Sequence, residues 1–118
     1  MKRLLIVDDL PEIRDLLSEI LSWEGYSVVT AGDGASARKL IAQGGFSLVL
    51  VDVVLPKEGG LSVAEYAASL GTRVVLISGS SRVLEAPEKF RWPVVAKPFR
   101  IDRLIATVRR ALGHAHPP

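Results

Sequence analysis

The chain has 118 residues, which is the size of one domain built around a single hydrophobic core. Hydrophobic residues make up 48% of it and charged residues 24%, a composition that excludes an intrinsically disordered chain. A formal charge of only +2 gives no basic face for nucleic acid, and the absence of cysteine excludes disulfides, thiolate metal sites and Cys nucleophiles.

No apolar run reaches the roughly 18 residues that a membrane span requires. The apolar stretch after Met1-Lys2-Arg3 is also too short for a secretion signal. From the sequence we therefore expect a cytoplasmic protein with neither a membrane nor a nucleic acid as partner.

Five short apolar segments predict strands, and strands buried on both faces are typical of a parallel sheet. These segments span residues 4–7, 26–31, 48–51, 74–77 and 94–96. Helical periodicity fills most of the intervening chain, and the inward positions are expected to include Leu16, Leu70 and Ile101. Five strands that alternate with helices predict an α/β fold with a parallel sheet covered on both faces.

Turn and capping residues predict where the helices begin and end. Pro11 suits a first helical turn, and Asp33-Gly34 opens the second helix. Ser62 and Glu65 match a capping box, which predicts the start of the third helix. In the fourth crossover, Pro87 and Pro93 leave room only for a short helix or none, within residues 80–93.

Polar side chains follow the predicted strands at their carboxyl ends, where open α/β sheets bind ligands. They are Asp8, Asp9, Asp52, Ser78 and Lys97. Carboxylates brought close together repel by about 4 kcal/mol per pair, so the fold requires compensating cations. Oxygen ligands without His or Cys favour a hard divalent ion, and a site with few protein ligands suits Mg²⁺.

Such a site can accept a phosphoryl group. A carboxylate beside Mg²⁺ and a lysine can attack phosphorus, because both cations stabilise the charge that develops on the phosphoryl oxygens. The product would be an acyl phosphate on an aspartate.

Five short motifs occur in an order that points to a known family. They are Asp8-Asp9, Asp33-Gly34, Asp52-Val53-Val54-Leu55-Pro56 with Gly60-Leu61, Ser78-Gly79, and Lys97-Pro98-Phe99. Over essentially the whole chain, this order resembles the receiver domain of response regulators in two-component signalling, a CheY-like domain. The resemblance implies a flavodoxin-like (βα)5 three-layer sandwich with sheet order 2-1-3-4-5.

The resemblance also implies a role for each residue at the strand ends. Asp52 would accept the phosphoryl group, and Asp9, Asp52 and the backbone carbonyl of Val54 would bind Mg²⁺, or Mn²⁺ in its place. Asp8 would hold the ion through water. Ser78 would donate its hydroxyl to a phosphoryl oxygen, and Lys97 would pair with the carboxylate and then with the phosphoryl group. In such a domain the Lys97-Pro98 peptide is usually cis, and Gly79 leaves room for the donor.

As a single-domain receiver, the chain would be a signalling protein that catalyses at most its own phosphorylation and dephosphorylation. The donor would be a sensor histidine kinase or a His-containing phosphotransfer protein, and the output would be contact with a further protein. Relay of phosphate, storage of phosphate and regulation of a target all remain open. Residues 1–113 would form the domain and 114–118 a tail, and we assign no role to His114 and His116.

Two enzyme classes are alternatives. Residues 32–37 formally match the dinucleotide motif G-x-G-x-x-G/A, but Asp33 would place a carboxylate where pyrophosphate must lie. A phosphatase with an aspartate nucleophile is expected to carry a second acid two residues later, where this chain has Val54. The dinucleotide alternative also gives no role to Asp8, Asp9 or Lys97.

The chain departs from the family's pattern at one position that matters for signalling. Receivers commonly carry an aromatic residue three positions before the lysine, and this chain has Val94 there. A β-branched side chain cannot swing a ring between buried and exposed states. We therefore expect the loop at residues 79–88, connected to Ser78, to carry the response instead.

Overall fold

A computed structural model describes residues 1–113 as a five-stranded parallel sheet with helices on both faces. The order β2-β1-β3-β4-β5 confirms the predicted flavodoxin-like topology. The strands are β1 (Arg3–Val7), β2 (Ser27–Ala31), β3 (Leu48–Asp52), β4 (Arg73–Ser78) and β5 (Val94–Ala96). The helices are α1 (Pro11–Trp23), α2 (Gly34–Gln43), α3 (Gly60–Ser69), α4 (Ser81–Glu85) and α5 (Ile101–Ala111).

Side chains of the central strands point alternately to two cores. Leu4 and Ile6 of β1 pack with residues of α1 and α5, whereas Leu5 and Val7 pack with residues of α2 and α3. All four are at most 1% exposed. The sheet is therefore the middle layer of three, as the continuous apolar strands predict.

The predicted capping box at Ser62 and Glu65 is wrong. Helix α3 begins at Gly60, with Gly59 before it at φ 77°. The Gly60 amide donates to the carbonyl of Val53 at 2.8 Å, and this contact starts the helix two residues before Ser62. Ser62 lies within the helix, and its hydroxyl donates to the Glu58 carboxylate in the preceding loop at 3.4 Å instead of capping the helix.

Three apolar residues expected to face the core are instead exposed. Leu16, Leu70 and Ile101 keep 44%, 55% and 54% of their surface in contact with solvent. Leu16 lies at the edge of the α1 stripe that Leu17 and Leu21 occupy. Leu70 directly follows α3 and Ile101 is the first residue of α5, so each has neighbours from its own helix on one side only.

The fourth crossover is short, as predicted. Helix α4 has five residues and is followed by one 3₁₀ turn, Pro87–Lys89. Pro87 cannot continue an α-helix, because it lacks an amide hydrogen and its ring clashes with the preceding turn. A cavity of about 400 Å³ lies between this segment, β5 and α5.

Within residues 1–113, no helix is long and apolar enough to cross a membrane. The predicted tail at 114–118, with His114 and His116, lies outside the described residues.

Candidate functional site

The sheet brings together the side chains that were expected at its carboxyl edge. Val7 of β1 pairs with Val51 of β3, so the next residues, Asp8 and Asp52, lie at the same level of the sheet. Ser78 is the last residue of β4, and Lys97 follows β5 directly. Parallel strands in register therefore collect residues from four separate chain segments at one edge.

Three carboxylates form the centre of this site. Carboxylate oxygens of Asp8, Asp9 and Asp52 lie within 4.8 Å of one another. Asp8 and Asp52 are buried, with 1% and 6% exposure, whereas Asp9 is exposed. This is the arrangement expected of a cluster that can hold a divalent cation and remain open to solvent on one side.

The Lys97 ammonium lies between the two buried carboxylates. Its Nζ is 2.6 Å from Asp52 Oδ2 and 2.7 Å from Asp8 Oδ2. Burial lowers the pKa of Lys97, but its close contacts with the Asp52 and Asp8 carboxylates raise the pKa by more, so the net shift is upward. The ammonium is therefore held in its charged form.

Backbone amides orient the two buried carboxylates. The Leu10 amide donates to Asp8 Oδ1 at 3.0 Å, and the Val54 amide donates to Asp52 Oδ1 at 2.9 Å. The second oxygen of each faces Lys97. Within residues 1–113, Asp8 Oδ2 is the one buried side-chain oxygen without a well-aligned hydrogen bond, since its contact with Lys97 is only an ion pair.

Ser78 is fully buried beside these groups. Its Oγ accepts a hydrogen bond from the Ser80 amide at 3.0 Å, and its carbonyl accepts from the Lys97 amide at 2.8 Å. The hydroxyl proton of Ser78 is not used by the Ser80 contact, so it is free to be donated. Ser80 directly precedes α4, which connects the site to the shortened crossover.

Three other residues named from the sequence border the site. Val54 is 64% exposed and lies beyond the end of β3. The Lys97–Pro98 peptide is cis, as the resemblance implied. A Cβ added to Gly79 would lie 3.5 Å from Lys97 Cβ, in ordinary van der Waals contact with the lysine stem.

Sequence reasoning missed one residue that contacts the site. Arg14 on α1 donates from Nη1 to the carbonyl of Asp8 at 2.7 Å. The sequence feature that could have indicated it is Pro11, which starts α1 one residue after the acidic pair and so places the first helical turns near the end of β1. Which of those turns reaches the carbonyl depends on how α1 packs on the sheet.

The N-terminus of α2 argues against the dinucleotide alternative. Asp33 Oδ1 accepts a hydrogen bond from the Ser36 amide at 2.7 Å, and this bond lowers the pKa of the Asp33 carboxyl. A Cβ on Gly34 would overlap the Glu58 side chain, which covers the same turn. A pyrophosphate would meet two carboxylates here.

A match to a family model covers residues 4–109 and bears the description response regulator receiver domain. The chain belongs to this family, which comprises signalling domains of two-component systems rather than conventional enzymes. The resemblance inferred from the strand-end residues is thereby confirmed.

Curated relatives agree with this assignment. The chain is 34% identical over 112 residues to the transcriptional regulatory protein DltR of Streptococcus agalactiae, covering 91% of this chain and 50% of the relative. It is 36% identical over 123 residues to the response regulator MprA of a Mycobacterium species, covering 98% of this chain and 52% of the relative. The chain thus spans about half the length of these relatives.

Solved structures of receiver domains superimpose closely. The response regulator TrrA of Thermotoga maritima, solved in complex with Mg²⁺-BeF, has a TM-score of 0.84 and 34% identity, covering 94% of this chain and 99% of that one. A CheY-like receiver from Methanospirillum hungatei has a TM-score of 0.85 and 28% identity, covering 96% of this chain and 94% of that one.

Proposed function

We propose that this protein accepts a phosphoryl group on Asp52 in a Mg²⁺-dependent reaction and passes the signal on by contact with another protein. One observation carries the proposal: Asp52 shares its site with two further carboxylates within 4.8 Å and with Lys97 at 2.6 Å. A buried carboxylate surrounded in this way can act as a nucleophile toward phosphorus.

The donor set fits Mg²⁺. Three carboxylates against the single Lys97 ammonium paired with them leave an excess of negative charge, and every side-chain donor is an oxygen. Asp9, Asp52 and the Val54 carbonyl would hold the ion directly, and Asp8 would hold it through water. When bound, Mg²⁺ stabilises the negative charge on the phosphoryl oxygens during transfer. Mn²⁺ has the same ligand preference and would substitute for it.

In the transfer step, a carboxylate oxygen of Asp52 forms a bond to phosphorus while the bond from phosphorus to the donor breaks. The electron pair of that bond leaves with the donor, which is a histidine nitrogen of a kinase or phosphotransfer protein. Lys97, already bonded to Asp52, then pairs with a phosphoryl oxygen and offsets its charge. The Ser78 hydroxyl donates a hydrogen bond to another phosphoryl oxygen.

The partners follow from the chemistry. A sensor histidine kinase or a His-containing phosphotransfer protein supplies the phosphoryl group, and a downstream protein reads the phosphorylated state. The named relatives are regulators about twice the length of this chain, so the matched region is the part they share with it.

Phosphorylation by a small donor tests the proposal directly. With acetyl phosphate and Mg²⁺, intact-protein mass spectrometry is expected to show one added phosphoryl group, and chelation of the ion prevents its addition. Asp52→Asn keeps the size of the side chain and abolishes the addition, whereas Asp15→Asn, an exposed acid on α1, leaves it unchanged. Equal incorporation in the Asp52→Asn protein would show that another residue accepts phosphate.

A second experiment separates relay from regulation. The protein is incubated with the histidine kinases and phosphotransfer proteins of its own cell, and the lifetime of the phosphoprotein is measured. Rapid return of phosphate to a histidine donor indicates a relay, whereas a long-lived phosphoprotein that binds a target indicates regulation.

A further inference from the structure

Arg14 fixes the peptide group that joins the first two acids of the site. Its Nη1 donates to the carbonyl oxygen of Asp8 at 2.7 Å, a short charge-assisted hydrogen bond. That carbonyl belongs to the same planar peptide unit as the amide of Asp9. Holding the oxygen therefore restricts rotation of the plane from which the Asp9 side chain extends.

Asp9 depends on its backbone for its position. Asp8 and Asp52 are each oriented by an amide hydrogen bond from two residues further along the chain. For Asp9, which is exposed, residues 1–113 supply neither a side-chain hydrogen bond nor an ion pair, yet its carboxylate lies within 4.8 Å of the other two. Its place in the cluster must therefore come from the chain on either side of it.

The loop after β2 leaves space for this arginine. A Cβ added to Gly32 would lie 2.9 Å from Arg14 Nη1 and 3.4 Å from its Cζ. Gly32 thus borders the same guanidinium nitrogen that donates to the Asp8 carbonyl. The atoms that a Cβ at Gly32 would crowd are the guanidinium atoms of Arg14, at the far end of a flexible side chain. Gly32→Ala would therefore displace the Arg14 side chain and leave the backbone in place.

We propose that Arg14 is a positioning residue that holds the Asp8–Asp9 peptide so that the Asp9 carboxylate faces the bound cation. The metal-binding part of this inference rests on the proposed function, whereas the effect on the peptide does not. Arg14 acts through Asp8 and Asp9 and contacts neither phosphate nor the ion itself.

The sign of the change in Mg²⁺ affinity distinguishes positioning from simple electrostatics. Removing a positive charge beside a cation site should tighten binding of Mg²⁺, because a repulsion is lost. Losing a residue that orients a ligand weakens metal binding, typically 10- to 100-fold. Arg14→Ala is therefore expected to weaken Mg²⁺ binding by about 10-fold, against the electrostatic trend.

The experiment is a Mg²⁺ titration followed by amide NMR shifts in four variants. Arg14→Ala and Gly32→Ala are both expected to bind the ion more weakly, although the Gly32→Ala protein keeps every charge. Arg14→Lys keeps the charge and one donor nitrogen, so it is expected to recover part of the affinity. Arg73→Ala, which removes an arginine at the opposite end of β4, binds Mg²⁺ like the wild type.

A measurement without the ion tests the positioning role alone. Hydrogen exchange at the Leu10 amide, which is bonded to Asp8 Oδ1, is expected to accelerate in Arg14→Ala and in Gly32→Ala but not in Arg73→Ala. Unchanged exchange in Arg14→Ala overturns the positioning role, as does Mg²⁺ affinity equal to or tighter than that of the wild type. Absence of Mg²⁺ binding by the wild-type protein contradicts the proposed function instead, and the exchange data then decide the role of Arg14.

Discussion

The Lys97 ammonium, beyond the last strand, lies 2.7 Å from the carboxylate of Asp8, beyond the first strand. The same nitrogen is bonded to Asp52 between them. The Lys97 side chain thus links the end of β5, an edge strand, to the ends of β3 and β1 through two buried acids. This contact couples the chemistry of the site to the stability of the fold.

Lys97→Met is expected to lower the free energy of unfolding by up to about 3 kcal/mol in the absence of divalent ions. The substitution leaves Asp8 and Asp52 buried, close together and without their cation. Added Mg²⁺ should restore part of the loss, because it binds only the folded site and replaces the missing charge. Urea unfolding with and without Mg²⁺ measures both effects.

The control is Arg109→Met, which breaks the ion pair at 2.9 Å between Glu24, directly after α1, and the last turn of α5. Exposed pairs contribute about 0–1 kcal/mol, so this variant should unfold almost like the wild type, with or without Mg²⁺. Equal stability of the Lys97→Met and wild-type proteins in chelator would show that the lysine does not offset the buried acids.

Gly60 and Gly34 should respond very differently to alanine. A Cβ on Gly60 would overlap the backbone carbonyl of Asp52, which cannot move without displacing β3. A Cβ on Gly34 would overlap only the Glu58 side chain, which can rotate away at the cost of its 2.9 Å pair with Arg38.

Gly60→Ala is therefore expected to destabilise the fold by about 1–3 kcal/mol or more, as overpacking does. Gly34→Ala should stay within about 1 kcal/mol of the wild type, because a gain in helix propensity offsets the lost surface pair. The measurement is the thermal unfolding midpoint of each variant relative to that of the wild type. A similar loss of stability in both would mean that the contact of Gly60 with β3 is not rigid.

Asp33 should make stability depend on pH in the acid range. Its carboxylate accepts the Ser36 amide at the start of α2, and this bond lowers its pKa below the ordinary value of 3.8. Since the folded state favours the ionised form, the stabilisation is complete above about pH 4 and disappears as the pH falls through the lowered pKa. The Asn variant keeps the cap but has no charge to titrate.

The measurement is the difference in urea midpoint between wild type and Asp33→Asn from pH 2 to pH 7. The stability of the wild type is expected to increase relative to that of the variant as the pH rises, because only the wild type ionises at position 33. The other acids titrate in both proteins, so their contributions cancel in the difference. A difference that stays constant over this range would exclude a contribution from the Asp33 charge.

The sequence predicts the fold and the membership of the site well for a physical reason. Strands buried on both faces must be apolar throughout, so a polar residue directly after such a run marks the strand end. Asp8, Asp52 and Lys97 each follow an apolar run in this way, and the parallel sheet brings them to one edge. The predicted strands accordingly agree with the structure to within one residue at either end.

Features that depend on how helices pack were not predictable in the same way. Ser62 has the spacing of a capping residue, but α3 begins earlier because Gly60 approaches β3 closely. Arg14 lies in an ordinary amphipathic helix, and its contact with Asp8 exists only once α1 is placed on the sheet. Contacts across elements need the three-dimensional placement, which periodicity does not provide.

If Asp52 accepts phosphate as proposed, we expect the surface beside Ser78 to change more than strand β5. Val94 lies in β5 where family members commonly carry an aromatic residue, and it is partly buried against the core on the α2 and α3 side. Its β-branched side chain has few rotamers, so it cannot switch between inner and outer positions. A response through β5 is therefore expected to be weak.

The alternative route begins at Ser78, whose Oγ accepts the Ser80 amide at 3.0 Å in this structure. Movement of this hydroxyl toward a phosphoryl oxygen either breaks that bond or pulls Ser80 along, and Ser80 precedes the five-residue helix α4. A helix this short is stabilised by few internal hydrogen bonds, so the segment that contains it reorders readily.

Hydrogen exchange of the apo protein and of its beryllofluoride complex should show changes at residues 79–88 and little change at Val94–Ala96. Val94→Tyr, which restores the aromatic residue, should add a change in β5, whereas Val94→Ile should not. Large changes at Val94–Ala96 in the wild type, with none at 79–88, would show that the signal leaves through β5 after all.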